Sequence, residues 1–150
     1  MKLVIIESPY AGDIEANVAY ARAAMRDSLN RGEAPIASHL LYTQPGILRD
    51  EVPEERQWGI DAGLAWRRVA EMAVFYVDRN WSGGMLAARR FNLDEGFPFE
   101  VRLLNGDVHE RFCASAGEAG TAETVQQGSV HEHATGEAGD APTSSTTTRG

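Results

Sequence analysis

The chain has 150 residues, the length of one ordinary domain, with 43% apolar residues and a formal net charge of −8. That charge argues against a sequence-independent nucleic-acid binder and against a protein drawn to anionic membrane surfaces, since both need a basic face. No apolar run is long enough to span a bilayer, MKLVIIESPY lacks the apolar core of a secretory signal, and a single cysteine, Cys113, permits neither an internal disulfide nor a multi-cysteine metal site, so a reducing cytoplasm is the simplest setting.

In chain order, LVIIE (3–7) is a short β-branched run bounded by Ser8-Pro9 and reads as a buried strand. Asp13 suits the cap of a helix running to about Leu29, with Ile14, Val18, Ala21, Met25 and Leu29 forming one apolar stripe. APIAS (34–38) is the second strand, and HLLYTQPGILRDEV (39–52) is a loop. Pro53 fits the first position of a helix, followed by Glu54 and Glu55 where the helix dipole favours acids, and this helix extends to about Glu71. Gly59 and Gly63 share one of its faces and imply close packing, and Trp58 and Trp66 read as packing residues. MAVFYV (72–77) is a fully apolar third strand, Gly83-Gly84 opens a helix ending at Gly96, and FPFEVRLL (97–104) is the fourth strand.

Apolar strands alternating with helices predict an α/β fold: a doubly wound, flavodoxin-like or Rossmann-like sheet of parallel strands in three layers, with strand order 2-1-3-4. Beyond Cys113 the only large apolar residues are Val125 and Val130, and five acids and one arginine carry half of the net charge. A segment of that composition does not bury enough apolar surface to offset its ordering entropy. The expected division is therefore a folded domain over 1–113 and a disordered acidic tail rich in Gly, Ala, Ser and Thr over 114–150, with His131 and His133 part of a solvated linker.

In a sheet of order 2-1-3-4 the chain reverses direction between strands 1 and 3, and ligands of such folds bind beyond the strand C-terminal ends at that point. Two loops meet there, SPYAGD (8–13) and DRNWSGG (78–84). Ser8, Gly12, Asp13, Asn80, Trp81, Ser82, Gly83, Gly84 and Met85 are the candidate ligand-binding residues, joined by His39 at the end of the second strand. The glycines permit close backbone approach to a ligand, Ser82 suits a helix cap, and Trp81 suits packing like the other two tryptophans or, from its place in the turn, stacking on a base. No phosphate-binding glycine motif is present, Asp13 occupies one set of free helix amides and Asp78 adds negative charge, which favours a neutral or weakly charged ligand such as a nucleoside or sugar over a triphosphate. Each assignment has a structural counterpart: Asp78 also suits a turn, Asp61 a solvated helix face, and Tyr10 and His39 ordinary packing.

The segments "SPYAGD…N…YAR…SL..GEAPIASHLLYTQ" and "ERQWGIDAGLAWRRVAEMAVFYVD…S.GM" resemble small domains of unknown function common in bacteriophages, which are similar to the nucleoside 2-deoxyribosyltransferase-like superfamily. The resemblance covers about residues 2–104. It implies cleavage and remaking of the N-glycosidic bond of a deoxynucleoside or nucleotide, through attack of a Glu carboxylate on C1′ and a covalent glycosyl-enzyme. By the same resemblance Tyr10, Asp61 and Asp78 become the candidate catalytic residues: an aromatic after the first strand, an acid that holds base or sugar, and an acid at the end of the third strand. An ungapped reading puts Asn80 at that last spot. The nucleophile is missing, since Gly84-Met85 is followed by Leu86, the looser register supplies Ala88, and Glu95 lies roughly 15 Å further along the helix. Loss of a covalent nucleophile lowers a rate by orders of magnitude. Two function classes follow: a glycosyl transferase or hydrolase of low activity, and a non-catalytic nucleoside or nucleotide binder that senses or sequesters its ligand. A third is an interaction module whose tail is the working part. The resemblance also implies self-association with pockets shared between subunits. No metal or organic cofactor is indicated.

Overall fold

The structure, a computed structural model, describes residues 1–113 and the backbone of 123–124. The elements are β1 (Lys2–Glu7), α1 (Ile14–Asn30), β2 (Glu33–Ile36), α2 (Ser38–Leu41), α3 (Pro53–Ala65), a 3-10 turn (Trp66–Arg68), β3 (Met72–Tyr76), α4 (Gly83–Asp94), β4 (Phe99–Arg102), β5 (Val108–Phe112) and β6 (Glu123–Thr124). The tail expected over 114–150, with His131 and His133, lies outside the described residues except for β6.

The sheet order is β2-β1-β3-β4-β5-β6. Its first four strands are parallel, in the anticipated order 2-1-3-4. Every side chain of β3 is buried, as expected of a strand covered on both faces. One face packs Val4, Ile6, Val74 and Tyr76 against Tyr20 and Ala24 of α1. The other packs Ile5, Ala73, Phe75, Phe99 and Phe112 against Met85 of α4. Helices therefore cover both faces of the sheet in three layers.

Four details depart from the sequence reading. First, the sheet is mixed: β5 runs antiparallel to β4, and β6 antiparallel to β5. Asn105 takes a left-handed conformation (φ 53°) and Gly106 N–H donates to the Leu103 carbonyl, which closes a tight turn that a crossover helix would otherwise replace. Second, α1 is rotated. It buries Asn17, Tyr20, Ala21, Ala24, Asp27 and Ser28, while Ile14 and Leu29 are nearly half exposed. The inward polar groups are all engaged: Ser28 Oγ donates to Glu33, and Asp27 accepts from Tyr76 Oη and Arg31. Glu33 in turn is bound by buried Arg102, which also holds Glu100. Third, residues 38–41 form one helical turn rather than loop, and α3 gives way to a 3-10 turn before Glu71. There Glu71 N–H donates to the Leu3 carbonyl and its carboxylate accepts from Leu3 N–H, drawing the segment onto β1. Fourth, Trp58 is 70% exposed on α3 and packs no core. Gly63 does pack closely, because a Cβ there would lie 2.8 Å from Ser38 Oγ.

Candidate functional site

The loops after β1 and β3 converge. Between them lies an open crevice of about 550 Å³ lined by Pro9, Ala11, Asp13, Asn17, Asp78, Arg79, Asn80, Trp81 and Ser82. Local chemistry sets each wall. Asp13 caps α1, its carboxylate accepting from Ala16 N–H at 3.2 Å. Ser82 caps α4 by accepting from Met85 N–H at 3.2 Å. Asn80 adopts a positive φ of 67°, which turns the chain out of β3, and its N–H donates to the Val77 carbonyl. Trp81 packs on Phe75 with ring centroids 5.4 Å apart and carries the Arg89 guanidinium over its ring.

Two pairs of side chains, Asn17 with Arg79 and Tyr20 with Asp78, fasten this end of the molecule together. Asn17, 5% exposed, donates through Nδ2 to the carbonyls of Tyr10 and Ala11 at 3.0 and 2.9 Å. Its Oδ1 accepts from Arg79 Nε at 2.8 Å, so the first loop is tied to the second. Tyr20 Oη donates to the Asp78 carboxylate at 2.6 Å and accepts from Asp78 N–H at 3.0 Å. Burial, and then the bond to Asp78, hold the Tyr20 phenol well above its ordinary value. Leu104 N–H also donates to Asp78, at 3.0 Å. The Asp78 carboxylate thus accepts both a phenol and an amide, locking the end of β3 to α1 and to the end of β4.

Beside the crevice, Ser8 Oγ and His39 Nε2 lie 2.8 Å apart, and the Tyr10 ring meets the His39 ring edge-on at 6.4 Å. His39 sits in α2 rather than at the end of β2. Burial lowers its pKa to about 4, so the imidazole is neutral at physiological pH. Ser8 is buried, and none of Ser8, Tyr10 or His39 lines the crevice itself. His39 of α2 thus braces the first loop through Ser8 and Tyr10.

The remaining candidates are dispersed. Asp61 is exposed on α3, accepts from Gln57 Nε2 at 2.8 Å, and borders a second cleft with Arg67, Arg68, Phe91, Glu95 and Phe97. Met85 is buried among the aromatic residues beneath α4 and does not line the crevice. Gly12 has a φ of 93°, which requires glycine for the turn into α1. Gly83 and Gly84 have ordinary backbone, and a Cβ at Gly83 would meet nothing within 4 Å, so no contact within the protein demands glycine there. In the α4 positions where the resemblance seeks a carboxylate stand Leu86, 54% exposed, and Ala88. Among the described residues no cluster of three or more His, Cys, Asp or Glu side chains could hold a metal ion, and no helix is long and apolar enough to cross a membrane.

Sequence reasoning passed over Asn17, Tyr20 and Arg79. Tyr20 and Asp78 are 58 positions apart, and Asn17 and Arg79 are 62 apart, so no local pattern connects them. The available hint was a polar Asn and a Tyr three residues apart on a helix just after a ligand-side loop.

Comparison with solved structures places the fold. The chain is similar to a 2-deoxyribosyltransferase from the psychrotolerant bacterium Bacillus psychrosaccharolyticus, described as a biocatalyst for nucleoside synthesis, with a TM-score of 0.54 and 13% identity over 67% of this chain and 72% of that one. At that identity the likeness concerns the fold. No curated protein sequence matches the chain. A family model described as a domain of unknown function (DUF7768) matches residues 2–102, which span the four parallel strands and the helices between them. The chain belongs to that family, DUF7768, and carries it on a deoxyribosyltransferase-like α/β fold.

Proposed function

We propose that the protein binds a nucleoside or nucleotide in the crevice between the β1–α1 and β3–α4 loops, and holds it without covalent transfer. The crevice volume of about 550 Å³ lies within the range of small-molecule sites and accommodates a base and a sugar. Its position at the switch point between β1 and β3 is where such sheets bind ligands. Trp81, half-buried on Phe75, lines the crevice as an aromatic contact for the base, and the exposed carboxylate of Asp13 offers an acceptor to a sugar hydroxyl.

The observation that carries this choice is the pairing of a missing nucleophile with an occupied acid. Leu86 and Ala88 replace the carboxylate that would attack C1′, and Asp78 spends its carboxylate on Tyr20 and Leu104. A second reading is slow hydrolysis of the N-glycosidic bond. Asp78 lines the crevice and is solvent-exposed, so it is the acid placed to orient a water whose oxygen bonds to C1′ while the base departs with the proton. Asp61, on the second cleft, stands outside that geometry.

Incubation with a deoxynucleoside and a different free base, followed by chromatography, separates these readings. Binding without turnover predicts a raised melting temperature, with neither exchanged nucleoside nor free sugar. Sugar release alone would favour the hydrolase, and exchange would overturn the binder. Asp78→Ala should abolish the nucleoside-induced rise; an unchanged rise would place the site elsewhere.

A further inference from the structure

We infer that Arg79 is the anion-reading residue of the crevice and that the ligand is a nucleoside monophosphate rather than a free nucleoside. This rests on the nucleoside-binding reading and deepens it. Sequence reasoning favoured a neutral ligand because Asp13 and Asp78 border the crevice. The structure gives each of those carboxylates a donor of the protein's own, Ala16 N–H for Asp13 and Tyr20 Oη and Leu104 N–H for Asp78, while leaving its charge in place.

Arg79 stands in the opposite condition. It is exposed, it lines the crevice, and among the described residues no acid pairs with it. Among the described residues its single side-chain bond runs from Nε to Asn17 Oδ1. Asn17 is itself buried and immobilised by its two bonds to the first loop. A buried amide therefore fixes the guanidinium at its inner nitrogen and leaves the two terminal nitrogens unengaged. A planar fork held in advance loses little entropy when it meets two oxygens of a phosphate. An arginine kept only for solubility needs no buried amide to orient it.

The count of charges also limits the ligand. One guanidinium matches one phosphate, and the two flanking carboxylates repel any further phosphates. The crevice thus selects a monophosphate over a triphosphate.

The test compares 2′-deoxyadenosine with its 5′- and 3′-monophosphates by calorimetry at fixed ionic strength, in the full chain and in Arg79→Gln. One of the monophosphates should bind at least about tenfold tighter than the nucleoside, a modest share of a charge-assisted bidentate contact. In Arg79→Gln the ratio should fall to near one, and in Arg79→Lys it should lie between. The triphosphate should bind more weakly than the monophosphate. If the nucleoside binds and neither monophosphate binds tighter, the inference falls and the binding reading stands. If neither nucleoside nor monophosphate binds, but inorganic phosphate at matched ionic strength stabilises the parent and not Arg79→Gln, the anion site stands and the nucleoside reading falls. If none of these probes acts, both fall.

Discussion

The link between Tyr20 and Asp78 gives the sharpest test of how the crevice is held. Tyr20→Phe keeps the ring, 8% exposed in the core, and deletes the hydroxyl alone. Two bonds vanish: the 2.6 Å donation to the Asp78 carboxylate and the 3.0 Å acceptance from Asp78 N–H. The neutral bond is worth about 1 kcal/mol and the charge-assisted one about 1.5–3 kcal/mol, with the upper part discounted because exposed Asp78 regains water. The expected loss is about 2.5 kcal/mol, or about 10 °C in melting temperature for a folded unit of this size. Denaturant titration and a thermal melt followed by circular dichroism measure it. The pH dependence supplies a second readout. Because the folded phenol is held above its ordinary value, the unfolded state ionises first, so this stability is present below about pH 10 and is lost as pH rises beyond it. Tyr76, raised by burial and by its bond to Asp27, adds to the same slope. Tyr20→Phe should flatten part of that alkaline slope. A melting temperature within about 1 °C of the parent would refute the reasoning, because the Tyr20 hydroxyl would then contribute nothing to holding the end of β3.

Two further outcomes follow from other parts of the site. His39, lowered to about 4 from an ordinary value of 6.5, stays neutral in the folded state while the unfolded chain takes up a proton. Stability is then complete above about pH 6.5 and lost as pH falls toward 4, and an NMR titration of the His39 ring should find a midpoint near 4; a midpoint near 6.5 would contradict the buried placement. Gly63→Ala brings a methyl group to 2.8 Å from Ser38 Oγ and 3.1 Å from Ser38 Cβ. It should cost about 1–2 kcal/mol by overpacking α3 against α2, and adding Ser38→Gly should recover most of that loss in the same denaturation assay. A fully stable Gly63→Ala chain would show that Ser38 turns aside without cost, and would refute the expected overpacking.

The parts of the fold that could be read from sequence are those with local causes. β1 and β3 are unbroken apolar runs because both of their faces are covered, and the caps Asp13 and Ser82 announce their helices by residue type. β5 is hard to read because VHERF sets three polar residues between Val108 and Phe112 and shows neither a strand's alternation nor an apolar run, although Asn105-Gly106 before it is a hairpin signal. The buried face of α1 was misjudged because Asn17, Asp27 and Ser28 look like surface residues until their partners in distant strands and loops are known. The candidate site divides in the same way. Its location followed from strand order, and Asp13, Asp78, Asn80, Trp81 and Ser82 do line the crevice. Its internal wiring rests on pairs about 60 positions apart, whose meeting depends on the whole sheet. Asp61 entered by resemblance alone, and the structure puts it on a different cleft.

The central claim is that the loops after β1 and β3 form one ligand crevice. Backbone amide shifts during titration with 2′-deoxyadenosine 5′-monophosphate test it most directly. The predicted result is a single cluster of perturbed amides over residues 9–17 and 78–84. Perturbation gathered instead around Asp61, Arg67 and Phe91, or saturable binding that leaves both loops unmoved, would contradict it.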